Sequence, residues 1–376
     1  MNRQKIIKFI KNVASVILIL ALLIIIFYQN RDRDILKFGK TESSRIVTSS
    51  QENITSDSYS KSDAGMLGDS VAFLSPSVFS VLDKSAQGEE VTVAFSTPVL
   101  YTAGDYAVIY DENSKSASVY KNKRLSYSIV TEEEIIKAKV NANGYLLVTT
   151  KKEGYNSECI VYNKNGEAIF KWDISKSEFI DGAVSYNNKK IILSVATAED
   201  NKLYGELLIL DITNAKILKM HRYESRIFYD VRIYTGDTAA AFGDSLLVYL
   251  NSDGEEKWRY DYSDKNLVKA DITEPDMMVL AFLPEGIVVQ GSNTDVKVLN
   301  RLGIVVDEKT FEGSIDDISI NRDTIAFAFG KQVVITNNDL KEKKILENDS
   351  GIKKIALFSD SKHVLVIGNS EVKILE

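Results

Sequence analysis

One cysteine, two histidines, four prolines and two tryptophans in 376 residues exclude several kinds of chemistry at once. A lone Cys159 forms no intramolecular disulfide and no cysteine-rich zinc or iron–sulfur site. The strand-like context ECIVY marks it as a small buried hydrophobe. His221 and His363 stand 142 positions apart, with no His-x-x-x-His spacing and no cysteine beside either, so no metal site is expected. No nucleophile elbow, P-loop, dinucleotide fingerprint or twelve-residue calcium loop occurs. Acids come in neighbouring pairs, Asp316-Asp317 and Glu255-Glu256, and in the run Glu132–Glu134. Adjacent residues on a strand point to opposite faces, so such pairs are poor catalytic dyads. The expectation is no catalytic residue, no cofactor and no metal.

Charged residues at 26% and hydrophobic residues at 44% are those of an ordinary globular chain, and their distribution is uneven. Residues 1–12 carry Arg3, Lys5, Lys8 and Lys11 without an acid, and an apolar run follows from Val13 to Tyr28. Sixteen residues at about 1.5 Å each give roughly 24 Å, and extension back to Phe9 with Lys11 snorkelling makes up the difference to a ~30 Å core. The following FYQNRDRD lacks the small residues of a cleavage site. We therefore expect an uncleaved signal-anchor over 13–30, a cytoplasmic end at 1–12 and the remainder outside a cell membrane. Residues 31–70, rich in Ser and Thr, read as a flexible stalk. Residues 39–376 hold 39 Lys and Arg against 51 Asp and Glu, a net −12, which excludes nucleic acid as a natural partner.

Beyond Val71 short β-rich runs recur. One series reads YAVIYD, YLLVTT, KIILSV, AAAFGD, MVLAFL, TIAFAF and HVLVIG, seven copies over 257 residues and a spacing of about 43. A second series follows each member, and a third strand such as AIFKWDI or EKWRYDY lies past a polar turn. The stretch Thr131–Val140, with the nearest approach to a helical period, fits a blade junction equally well. A four-strand unit repeated at that spacing is the signature of a β-propeller, because one such sheet cannot cover its own two faces. The all-β propeller over 71–376 is expected to have seven blades, its ring closed by the strand at 89–96. Val71–Ser85 also reads as two strands, so eight blades is the alternative.

The units YNKNGEAIFKW at Tyr162–Trp172 and LNSDGEEKW at Leu250–Trp258 resemble the pyrroloquinoline-quinone-type propeller repeat. The whole chain resembles an uncharacterised family of membrane-anchored propellers from Gram-positive, clostridia-like bacteria. That resemblance implies blade-docking roles for Gly166, Trp172, Gly254 and Trp258, and no catalytic residue. Among 18 tyrosines, those at loop edges include Tyr155, Tyr204 and Tyr262, a candidate interaction surface. The reading is a protein-interaction or scaffold module that meets an envelope protein or polymer. The alternative is a propeller enzyme, a quinoprotein or hydrolase, with acids converging on its axis.

Overall fold

A computed structural model describes residues 44–46, 61–273, 277–284, 292–369 and 371–376. The expected cytoplasmic end, the anchor and most of the stalk lie outside the described residues. Among those described, no helix is long and apolar enough to cross a membrane.

Eight four-stranded antiparallel sheets form the blades of a propeller, so the seven-blade expectation is corrected to its alternative. The additional unit is blade 1: Asp63–Leu67, Ser70–Leu74, Val78–Leu82 and Gly88–Thr92. Its first strand, DAGML, sits at the end of the Ser-rich segment and carries few large apolar residues. Its fourth is wholly exposed. Neither end of this blade therefore carries the apolar run that marks the other blades.

Ring closure takes a different strand from the one expected. The stretch at 89–96 forms the outer edge of blade 1, where Val91 pairs with Phe79. The last blade is completed by Ser44–Ile46, paired antiparallel with Val372–Leu375 in the register Ser44↔Leu375 to Ile46↔Lys373. Two segments assigned to the stalk, 44–46 and 63–67, are thus strands of the ring. Joining residues 44–46 to the C-terminal strand in one blade converts an open array of sheets into a closed one.

The seven apolar runs found in the sequence are the second strands of blades 2 to 8, and Ser70–Leu74 is their counterpart in blade 1. Second and third strands are almost fully buried, as in Ala239–Gly243 and Leu246–Leu250, because neighbouring blades cover both faces. Outer strands alternate, as in Glu256–Asp261 and Val305–Phe311, the period of a sheet with one face wet. The core is a ring of apolar clusters, each shared by two successive blades. Tyr110, Val119 and Ile129 meet Ile135, Val148 and Ile160 between blades 2 and 3. Val71, Phe73 and Leu82 meet Leu365, Ile367 and Ile374 where blade 8 returns to blade 1. Each such side chain contributes about 1.5–3 kcal/mol on burial.

Candidate functional site

The first strand of each blade faces the axis. These strands are Asp63–Leu67, Pro98–Ala103, Ile135–Val140, Glu178–Val184, Phe228–Ile233, Lys265–Thr273, Asp317–Asn321 and Ile352–Leu357. Together they enclose a cavity of about 890 Å³ to which every blade contributes lining residues. Most carry charge at one or both of two positions two residues apart, Lys137 and Lys139, Asp230 and Arg232, Lys269 and Asp271 among them. The strand period of two puts both members on the axial face with a small or apolar residue between them buried outward. Ala138 and Val231 are examples, at 2% and 0% exposure.

These charges pair from blade to blade. Lys139 Nζ lies 2.5 Å from Asp181 and 3.0 Å from Asp230, and donates to the Val231 carbonyl at 3.2 Å. Lys137 reaches the other oxygen of Asp181 at 2.8 Å. Arg232 bridges Asp230 and Asp271, both at 2.8 Å. Lys269 faces Asp317 at 3.4 Å, and Lys354 faces Asp63 at 3.0 Å across the closing interface. Five acids and five bases thus balance.

The carboxylates have a second task. An innermost strand has no neighbour on its axial edge, so its amides need other acceptors. Asp181 accepts from Val231 N at 2.6 Å, Asp271 from Ile320 N at 3.1 Å and Asp317 from Ile355 N at 3.0 Å. In each case the acceptor belongs to the preceding blade. Ser319 accepts from Leu357 N at 2.9 Å, and the Tyr110 hydroxyl from Ala138 N at 3.3 Å. The axial acids are therefore staples between blades.

Electrostatics follow from this arrangement. Burial alone would raise the Asp230 carboxyl, but the Arg232 and Lys139 charges beside it hold it well below the usual carboxylate range. Burial raises the Asp271 carboxyl, only partly opposed by Arg232. Burial also lifts the phenols of Tyr101 and Tyr234 above their ordinary value. The Tyr234 hydroxyl is buried and has no hydrogen-bond partner. Lys139 Nζ stands 5.0 Å from the centre of the Tyr101 ring.

The residues singled out in the sequence lie elsewhere, on the outer strands and turns. Gly166 and Gly254 each end an Asn-x-x-Gly turn at φ +80° and +75°. In the second of these, Asn251 Oδ1 accepts the amides of Asp253 and Glu255. A Cβ at Gly166 would stand 3.0 Å from the Tyr127 ring, and one at Gly254 only 2.8 Å from Ile209, both in the preceding blade. Trp258 stacks on Tyr249 at 5.1 Å and donates Nε1–H to the Arg301 carbonyl of the next blade at 2.8 Å. Trp172 lies parallel to Phe170, at 6.4 Å, beside the apolar cluster between blades 3 and 4. All four residues sit at blade contacts, and none reaches the cavity.

The three tyrosines separate. Tyr155 is exposed, and Tyr204 is half-buried under the Arg222 guanidinium at 3.9 Å. Tyr262 is 1% exposed, with its hydroxyl donating to the Gly243 carbonyl at 2.7 Å. It belongs to the core and not to an interaction surface, because its ring fills the contact between blades 5 and 6. His221 Nε2 lies 2.7 Å from the Gly254 carbonyl, a further blade contact. His363 Nδ1 lies 2.8 Å from Asp360. Burial pushes the Cys159 thiol up to about 12, against the opposing hydrogen bond with Thr149. Among the described residues no group of three His, Cys, Asp or Glu side chains could hold a metal ion.

The axial residues lie outside the apolar runs that mark each blade. Their signal is nevertheless present: short charged–apolar–charged triplets such as Lys-Ala-Lys at 137–139 and Asp-Val-Arg at 230–232 stand ahead of successive apolar runs.

Residues 40–376 match the family described as "Family of unknown function (DUF5711)", and the chain belongs to it. No curated protein matches the sequence. The C-terminal WD40 domain of Sif2 is similar in structure, with a TM-score of 0.62 at 12% identity over 90% of this chain and 99% of that one. BamB from Moraxella catarrhalis gives 0.54 at 12% identity over 90% and 99%. The Dos1 propeller gives 0.54 at 12% identity over 83% and 90%. At such identities the likeness concerns the fold.

Proposed function

We propose that this member of a family of unknown function is a recognition module, a propeller held outside a cell membrane by residues 13–30 that presents its surface to an envelope protein or polymer. The observation that carries this reading is the state of the axial charges. Each of the five axial acids is engaged by a cation, and three of them also hold a backbone amide of the next blade. They support the ring and leave its outer surface as the place for partners. The acidic exterior and the exposed Tyr155, at 44%, suit contact with protein through a rim of aromatic and polar groups.

The test is in-cell photo-crosslinking of the full chain with the reactive side chain at position 155, and the buried position 262 as control. Reproducible capture of one envelope component from 155 and not from 262 is the expected result. Identical patterns from both positions, or none from 155, would end this reading.

A second reading, an enzyme working in the funnel, is favoured by the convergence of five carboxylates on the axis. Its consequence differs: Asp271→Asn would abolish a turnover while leaving the melting temperature nearly unchanged. Staples predict loss of stability from the same substitution.

A further inference from the structure

The axial cavity combines three properties that point to one chemical class of ligand. It is large, about 890 Å³, within the range of pockets that enclose small molecules. Its charges are balanced in place: Lys139 and Arg232 in its lining pair with Asp230 and Asp271, and Lys137 and Asp181 complete the set on contiguous blades. A fully charged ligand would have to displace one of these pairs to find its own counter-ion, and would leave the released partner buried and uncompensated. An uncharged ligand has no such requirement.

Hydrogen-bonding capacity nonetheless remains. Arg232 Nη2 makes only a 3.4 Å contact with the Ala270 carbonyl, and a guanidinium carries five N–H donors. Lys269 and Lys354 each make one ion pair, at 3.4 and 3.0 Å, from ammonium groups with three donors apiece. Tyr234 lines the cavity, and its hydroxyl is buried without a partner, a state that is unfavourable unless something supplies the missing bond. Tyr101 and Tyr234, from blades 2 and 5, add aromatic surface, and Tyr186, Asp105 and Asn141 also line the cavity.

From these observations we infer that the axial cavity binds an uncharged polyhydroxylated ligand, a short neutral oligosaccharide, with Tyr234 and Arg232 hydrogen-bonding its hydroxyls and Tyr101 lying against a sugar ring. The balanced charges act as fixed dipoles, and the phenols supply the flat surface a pyranose needs. This goes beyond the outer-surface reading and stands without it, since Tyr101, Arg232 and Tyr234 line the cavity and Tyr155 does not.

The test is calorimetric titration of the full chain, in a detergent without a sugar headgroup, with maltotriose, cellotriose and triacetylchitotriose. The charged probes are a galacturonic-acid trimer and a glucosamine trimer. Saturable binding of at least one neutral trimer is expected, weakened roughly fivefold by Tyr234→Phe and roughly tenfold or more by Tyr101→Ala. Tyr234→Phe removes a hydroxyl with no partner, so its melting temperature is expected to equal or exceed that of the unsubstituted protein, which makes a lost affinity interpretable. Absence of binding by all three neutral trimers would overturn the inference. So would tighter binding of a charged trimer, or unchanged affinity in both variants. The crosslinking experiment above is independent of these outcomes.

Discussion

Replacing Asp181 by alanine tests whether the axial charges hold the ring together. Asp181 is 0% exposed, with one oxygen 2.5 Å from Lys139 and 2.6 Å from Val231 N and the other 2.8 Å from Lys137. Its removal leaves the Lys139 ammonium with Asp230 as its one carboxylate and the Val231 amide with no acceptor. Breaking a buried ion pair from one side costs about 3–5 kcal/mol, and an unpartnered buried amide about 1–3 kcal/mol. The two losses share one carboxylate and overlap, so about 4–6 kcal/mol is expected. At about 2 °C per kcal/mol for a domain of this size, the melting temperature falls by roughly 8–12 °C. Urea unfolding should show the same loss as a shifted midpoint with an unchanged slope. The double variant Asp181→Leu with Lys139→Met removes both buried charges, and is expected to be more stable than Asp181→Ala alone. A loss under about 1 kcal/mol for Asp181→Ala would refute the staple argument, because a solvated surface pair has that magnitude.

Three further outcomes are expected. Tyr262→Phe deletes the buried bond to the Gly243 carbonyl and should cost about 1–2 kcal/mol in chemical denaturation, with crosslinking from position 155 unaffected. Deleting residues 44–46 uncovers the outer edge of blade 8, so amide exchange at Lys373–Leu375 should accelerate while exchange in blade 4 changes far less, as hydrogen-exchange mass spectrometry would show. Burial would raise the Asp360 carboxyl, but the amides of His363 and Lys362 and the His363 ring bring it down to about 2. A carboxyl depressed in the folded state contributes stability that is present above its unfolded pKa and lost as pH falls towards about 2. Asp360→Asn should therefore flatten the stability profile between about pH 4 and 2, read by urea titration at each pH.

Propeller architecture was legible because its signal is local and repeated. YAVIYD, TIAFAF and HVLVIG are second strands, buried on both faces, and burial there demands continuous apolar residues. The Asn-x-x-Gly turns at Gly166 and Gly254 were legible for a similar reason, since a positive φ beside a neighbouring blade admits little but glycine. Blade 1 was harder to see. Its fourth strand, GEEVT, is fully exposed and has no buried face to record in its sequence. The tyrosines show the same limit: Tyr155 and Tyr262 both stand at strand boundaries, and only the presence of blade 6 against Tyr262 distinguishes core from surface.

The fold class, the four-strand unit, its spacing and the completion of the last blade by a strand from earlier in the chain are written in local residue patterns. That the blades number eight, that residues 44–46 close them, and that Lys139, Asp181, Asp230 and Arg232 meet follows from contacts between distant segments. The reason is range. Apolar periodicity and turn chemistry act between residues a few positions apart and are written into each segment. Closure depends on which strand reaches a free edge more than 300 residues away, and the axial network on charges brought together from separate blades, 42 and 91 positions apart.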